Sequence, residues 1–116
     1  MSMVIDLHAH VVLEESFGAA GKYGPELSSG EKLQEFRVGD YIMRVPYRGS
    51  IFMDAQKRIE AMDALGVDLQ LLSPNPLSFF GHINAEDALE FARASNDAMV
   101  KHIDPFKDRL LGAASV

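Results

Sequence analysis

The sequence predicts an α/β fold in which parallel strands alternate with helices, and three observations carry that expectation. An apolar N-terminal segment has the two-residue period of a strand. A capped helix is followed at once by a short apolar run closed by prolines. A second capped helix then leads into a further apolar segment, Leu110 to Val116. Strand, helix, strand, helix, strand implies a parallel sheet with helices outside it and right-handed crossovers.

The first strand is read from Met3 to His10, where Val4, Ile5 and Leu7 are good β-formers. By its alternation Asp6, His8 and His10 share one face, and Ile5, Leu7 and Ala9 share the other. Residues 11–53 hold no long helical period and are punctuated by Gly18, Gly21, Gly24, Pro25 and Gly30. Within them, Leu33 to Val38 and Tyr41 to Val45 are β-rich and flank Gly39-Asp40, a pair suited to a two-residue hairpin turn with glycine at its first central position. An excursion this long fits a lid or binding insert better than an idle connection.

Asp54 is placed to N-cap a helix running to about Leu65, with Ile59, Met62 and Leu65 as its apolar stripe and Gly66 as its stop. Val67 to Leu72 reads as a buried strand that Ser73-Pro74-Asn75-Pro76 ends sharply. Asn84, with Asp87 three residues on, opens the second helix; Leu89, Ala92, Asn96 and Met99 fall near one another, and Pro105 stops it near Ile103. Met53, Met62 and Met99 are expected to fill core space. Nothing divides the 116 residues into two folding units, so one domain is expected.

Composition narrows the function classes. Seventeen acidic residues against eleven basic give a net charge of -6, which argues against phosphate-backbone binding and so against a nucleic-acid partner. With no cysteine, any transition metal must be held by histidine and carboxylate. The apolar runs are too short for a membrane span, and the start MSMVIDLHAH lacks the basic and apolar regions of a signal peptide, which leads us to expect a cytoplasmic protein.

His8 and His10 are the informative pair. Two residues apart on a strand, they point the same way with α-carbons roughly 6.6 Å apart, a spacing from which two imidazoles can converge on one cation. Alone, an HxH pair reads rather as two solvated polar side chains near a strand end than as a metal site. Asp6 could hydrogen-bond a ring or lie deeper in the core.

More of the chain bears on the choice. Val4-Ile5-Asp6-Leu7-His8-Ala9-His10 resembles the first-strand metal motif of the amidohydrolase superfamily. Arg58-Ile59-Glu60-Ala61-Met62-Asp63-Ala64-Leu65-Gly66-Val67-Asp68 is similar to the first-helix and second-strand signature of its decarboxylase branch, typified by aminocarboxymuconate semialdehyde decarboxylase. Ser73-Pro74-Asn75-Pro76, Ser95-Asn96-Asp97 and Arg109-Leu110-Leu111-Gly112 look like that branch too. The resemblance covers essentially the whole chain. It implies that these residues are the N-terminal βα units of a metal-dependent (β/α)8 TIM barrel, with a β-hairpin insert at residues 11–53 after the first strand. Eight such units need roughly 250 residues, so the chain would be a partial barrel.

The same resemblance implies that His8 and His10 bind a divalent metal, usually zinc, which lowers the pKa of a bound water to about 7 at a favourable site. It also implies a third histidine and an aspartate from later strands, roles that His82 and His102 do not match. Arg44 is the preferred match to an arginine that pairs with a substrate carboxylate, and a planar guanidinium suits that task; a solvated surface arginine is the alternative. Phe79 and Phe80, after the second strand, either wall a substrate pocket or pack against a helix. The reading is a metal-dependent decarboxylase acting on a small unsaturated or aromatic carboxylic acid. The alternatives are a hydrolase of a lactone, amide or ester, or a non-catalytic piece that binds a partner. Uncovered strand edges and apolar faces lead us to expect a homo-oligomer.

Overall fold

The computed structural model describes residues 2–116 and contains two sheets and two long helices. In chain order the elements are β1 (Ile5–Val11), β2 (Glu26–Leu27), β3 (Gln34–Val38), β4 (Tyr41–Val45), α1 (Ala55–Leu65), β5 (Leu69–Pro74), α2 (Ala85–Ile103) and β6 (Leu110–Gly112). Strands β1, β5 and β6 form a parallel sheet in the order β1-β5-β6, and β2, β3 and β4 form an antiparallel one.

The parallel sheet is buried on one face. Val11, Leu13, Leu72 and Leu110 meet Ile59 and Met62 of α1 and Ala98 and Met99 of α2 in its core. Helix α1 starts where expected: the Asp54 side chain accepts the Lys57 N–H at 3.1 Å. It stops where Gly66 turns left-handed, φ 72°, a conformation that costs a residue without Cβ little. Leu65 departs from its expected stripe. It lies in the last turn, 80% exposed, and the buried face is instead Arg58, Ile59 and Met62.

Strand β5 runs two residues later than expected, from Leu69 to Pro74. Pro74 is tolerated because pairing with β6 stops at Leu72 and Gly112, so no ladder partner needs the N–H that proline lacks. For the same reason β6 ends at Gly112 rather than running to Val116. Beyond it the chain is held by α2: the Asn96 carboxamide accepts the Ser115 N–H at 2.7 Å and donates to the Ser115 carbonyl at 3.0 Å.

On α2, of the neighbouring residues Leu89, Ala92, Asn96 and Met99 only Met99 is buried. Phe91, Ser95, Ala98 and Met99 are buried, whereas Leu89 is exposed and Ala92 and Asn96 are half-covered. Burial goes to the stripe that faces the sheet, which shares Met99 with that group.

The hairpin closes at Gly39-Asp40, with Val38 opposite Tyr41 and Gly39 at φ 58°. The short β2 adds a third strand to it, which the sequence reading missed. This sheet packs against the region after β5. Phe36, Val38 and Tyr47 share a second core with Val12, Phe80 and Phe91. Two bonds fix its place at the carboxyl end of the parallel strands: Val12 N–H donates to the Phe52 carbonyl at 2.9 Å, and Asn75 Nδ2 donates to the Tyr47 hydroxyl at 3.1 Å. In open α/β sheets ligands bind beyond this end. No helix among the described residues is long and apolar enough to cross a membrane.

Candidate functional site

Strand β1 does not keep a uniform two-residue period. It pairs Asp6 with Gln70 but Ala9 with Leu72, three residues on β1 against two on β5, so it carries a bulge at Leu7-His8. The bulge reverses the alternation. Ala9 and Val11 pack into the core beside Leu72, and Asp6 reaches Gln70 on that same side. The histidines point to the other face, which no helix covers. Asp6 therefore does not share a face with His8 and His10, as uniform alternation requires.

On the open face the two rings meet. His8 Nε2 and His10 Nε2 lie 3.1 Å apart, with the rings edge to face. Two nitrogens each about 2.0–2.1 Å from one zinc ion, at angles between a right angle and the tetrahedral angle, stand roughly 2.9–3.4 Å apart, so the pair fits a single cation. A neutral ring donating to its neighbour accounts for the same contact without metal. His10 Nδ1 is buried with no partner, whereas ligating histidines usually donate through their second nitrogen. Among the described residues no group of three His, Asp or Glu is placed to hold an ion.

Behind the histidines runs a chain of buried polar groups. Arg58 is 4% exposed and Gln70 9%. Arg58 Nη1 donates to Gln70 Oε1 at 2.9 Å, Gln70 Nε2 donates to Asp6 Oδ2 at 2.9 Å, and Asp6 Oδ1 accepts the His8 N–H at 3.0 Å. Arg58 Nη2 returns to the His10 carbonyl at 2.7 Å, while its Nε is buried without a partner. The His8 amide, and behind it the Gln70 carboxamide, hold the Asp6 carboxyl below its ordinary range. Burial pulls Arg58 down from the usual arginine value and Asp6 opposes it. Arginine starts so high that the guanidinium stays charged. Sequence reasoning missed Arg58 and Gln70. The signals were a glutamine among the leucines of β5 and an arginine beside the apolar stripe of α1.

Phe79 and Phe80 take different roles. Phe80 is buried, its ring edge-on to Phe91 at 4.8 Å, and Phe79 is 57% exposed. Both line a cleft of about 400 Å³ with Ser73, Ala92 and Ser115. Ser73, at the edge of the cleft, is the register partner of His10 in the sheet, but neither His8 nor His10 lines the cleft, whose wall includes Phe91 and Ala92 of α2. Arg44 is exposed on β4, opposite Glu35 in the hairpin, and its side chain makes no hydrogen bond or ion pair among the described residues. Arg48 is engaged instead, donating to the Ser28 and Leu27 carbonyls and pairing with Glu14 at 3.3 Å. His82 lies in the turn before α2, 6.1 Å from the Phe80 ring. His102, in the last turn of α2, has its Nε2 buried without a partner, and burial lowers its pKa.

The chain is 26% identical over 121 aligned positions to the 2-amino-3-carboxymuconate-6-semialdehyde decarboxylase of Dictyostelium discoideum. The alignment takes in 99% of this chain and 33% of that enzyme, so the chain spans about a third of the length of the relative it matches. No protein-family model matches the chain. The chain is thus similar, at a distance and along its whole length, to part of an enzyme named as a decarboxylase.

Proposed function

We propose that these residues form the first βα units of a metal-dependent (β/α)8 barrel that decarboxylates a small unsaturated or aromatic carboxylic acid. The observation that carries the reading is the 3.1 Å approach of His8 Nε2 and His10 Nε2 on the uncovered face of β1. The distant similarity to a decarboxylase supports it. His8 and His10 would hold a divalent cation, zinc by preference, with further ligands from outside these residues. When bound, such a cation acts as a Lewis acid toward a carboxylate or carbonyl oxygen.

The chain's own residues supply the surroundings. Phe79 and Phe80 line the cleft beside Ser73, and Arg44 is our choice for the substrate carboxylate because its guanidinium is exposed and unengaged. A hydrolase of the same superfamily is the second reading, since a cation held by two histidines serves either chemistry. The test is a zinc-supplemented assay of the protein that carries this segment, following carbon dioxide release from 2-amino-3-carboxymuconate semialdehyde and simpler aromatic acids beside ring opening of lactones. Carbon dioxide release that disappears in His10→Ala supports the decarboxylase; lactone opening alone overturns it in favour of the hydrolase. The 116 residues alone are expected to be inactive with either.

A further inference from the structure

The bulge in β1 decides where the histidines go. With Asp6 opposite Gln70 and no extra residue, strict pairing sets His8 opposite Leu72, a fully buried position facing the helices. The extra residue puts Ala9 there instead and turns both imidazoles to the open face. A one-residue slip exchanges the two faces of a strand, so whatever holds the bulge holds the site. A bulge also frees a backbone amide, and here the freed amide is that of His8, taken by Asp6 Oδ1.

We infer that Asp6, Gln70 and Arg58 are positioning residues that lock this bulge and thereby hold His8 and His10 together on the open face. Its application to metal rests on the function proposed above. The order of the chain follows from which groups can donate. A guanidinium only donates, so the Gln70 oxygen must face Arg58 and the Gln70 amide must face Asp6, whose ionised carboxylate only accepts. Asp6 then has one oxygen left for His8. The second terminal nitrogen of Arg58 takes the His10 carbonyl. The network grips the first amide and the last carbonyl of His8-Ala9-His10, leaving only side chains to move. Ordinary docking of α1 on the sheet gives no reason for both ends of the network to land on that one tripeptide.

Gln70→Glu separates the two roles. It keeps the size of the side chain and the bond to Arg58 but turns the donor facing Asp6 into a second carboxylate. Two-dimensional NMR of the metal-free 116-residue chain reads the outcome. Wild type is expected to show a ring-to-ring Overhauser contact between His8 and His10 and slow hydrogen exchange at the His8 amide. Gln70→Glu and Asp6→Ala are expected to lose both, while Ile59→Ala, which destabilises the neighbouring position of α1, keeps them. Fast exchange of the His8 amide in wild type, or a ring contact that survives in Gln70→Glu, would overturn the inference whether or not every variant folds. Zinc titration of the same proteins is the second arm, with affinity expected to fall about 10- to 100-fold in Gln70→Glu, as for other groups that orient metal ligands. NMR results as expected with no zinc uptake by wild type would leave the positioning network standing and remove the metal reading.

Discussion

The two faces of the parallel sheet differ as a finished wall differs from an open one. On the helix side Leu72 is fully buried and Gln70 and Pro74 are covered, with α1 and α2 packed over them. On the other side Leu7 is 72% exposed, His8 is exposed, and Ile5 and Leu111 stand about half in water. The covered face is where stability resides. Among the described residues, the open face carries the only pair of histidines that meet, at the end of the strands where such sheets bind ligands. The difference teaches that the histidine pair and the packed core of this segment are kept on separate faces by one inserted residue in β1.

The comparison breaks most sharply under core truncation. Leu72→Ala is expected to cost about 2–5 kcal/mol in urea unfolding, because it removes a side chain enclosed on all sides. A cost near zero would mean that the helix-side face is not the packed one.

A smaller effect comes from His102, on the covered side. Burial lowers its pKa, the Arg58 charge lowers it further, and Glu15 and Asp54 oppose them. The folded state thus prefers the neutral ring. Its contribution is full above the ordinary histidine value of 6.5 and is lost as pH falls from there through the lowered folded value. Unfolding followed between pH 7 and pH 5 should show declining stability in wild type and a flatter profile in His102→Leu; identical profiles would contradict this origin.

On the open side, Leu7→Ser with Leu111→Ser is expected to change unfolding by no more than about 0.5 kcal/mol per site. It should, however, weaken the concentration-dependent self-association that sedimentation is expected to show for wild type, since exposed apolar faces and bare strand edges seek partners. A wild-type chain that stays monomeric at every concentration would count against the open wall. Least of all, Arg44→Ala should leave stability within about 0.5 kcal/mol, while in the barrel enzyme proposed above it should weaken use of acidic substrates.

Local signals were legible in the sequence and long-range ones were not. The Asp54 cap, the Gly66 stop and the Gly39-Asp40 turn each act within a few residues, and each stands where its neighbours predict. Pairing partners are invisible to such reasoning. Two residues of β2 carry no period of their own and exist only because β3 lies beside them. The bulge in β1 is defined by its register with β5, so extrapolating the period from Asp6 put that carboxylate on the wrong face. The α2 stripe failed for another reason: Leu89 and Phe91 both look like core residues, and only the position of the sheet decides between them. For the candidate site, the spacing of His8 and His10 pointed to their meeting, but Arg58 and Gln70 become visible only when strand and helix are brought together.

The central claim is that His8 and His10 form one cation site on the open face. The most direct test is a zinc titration of the 116-residue chain near pH 7, following the ring resonances of all four histidines by NMR. The account predicts that His8 and His10 shift together, that His82 and His102 stay in place, and that His8→Ala abolishes the shift of His10. Shifts spread evenly over the four rings, or none at His8 and His10 at saturating zinc, would contradict it.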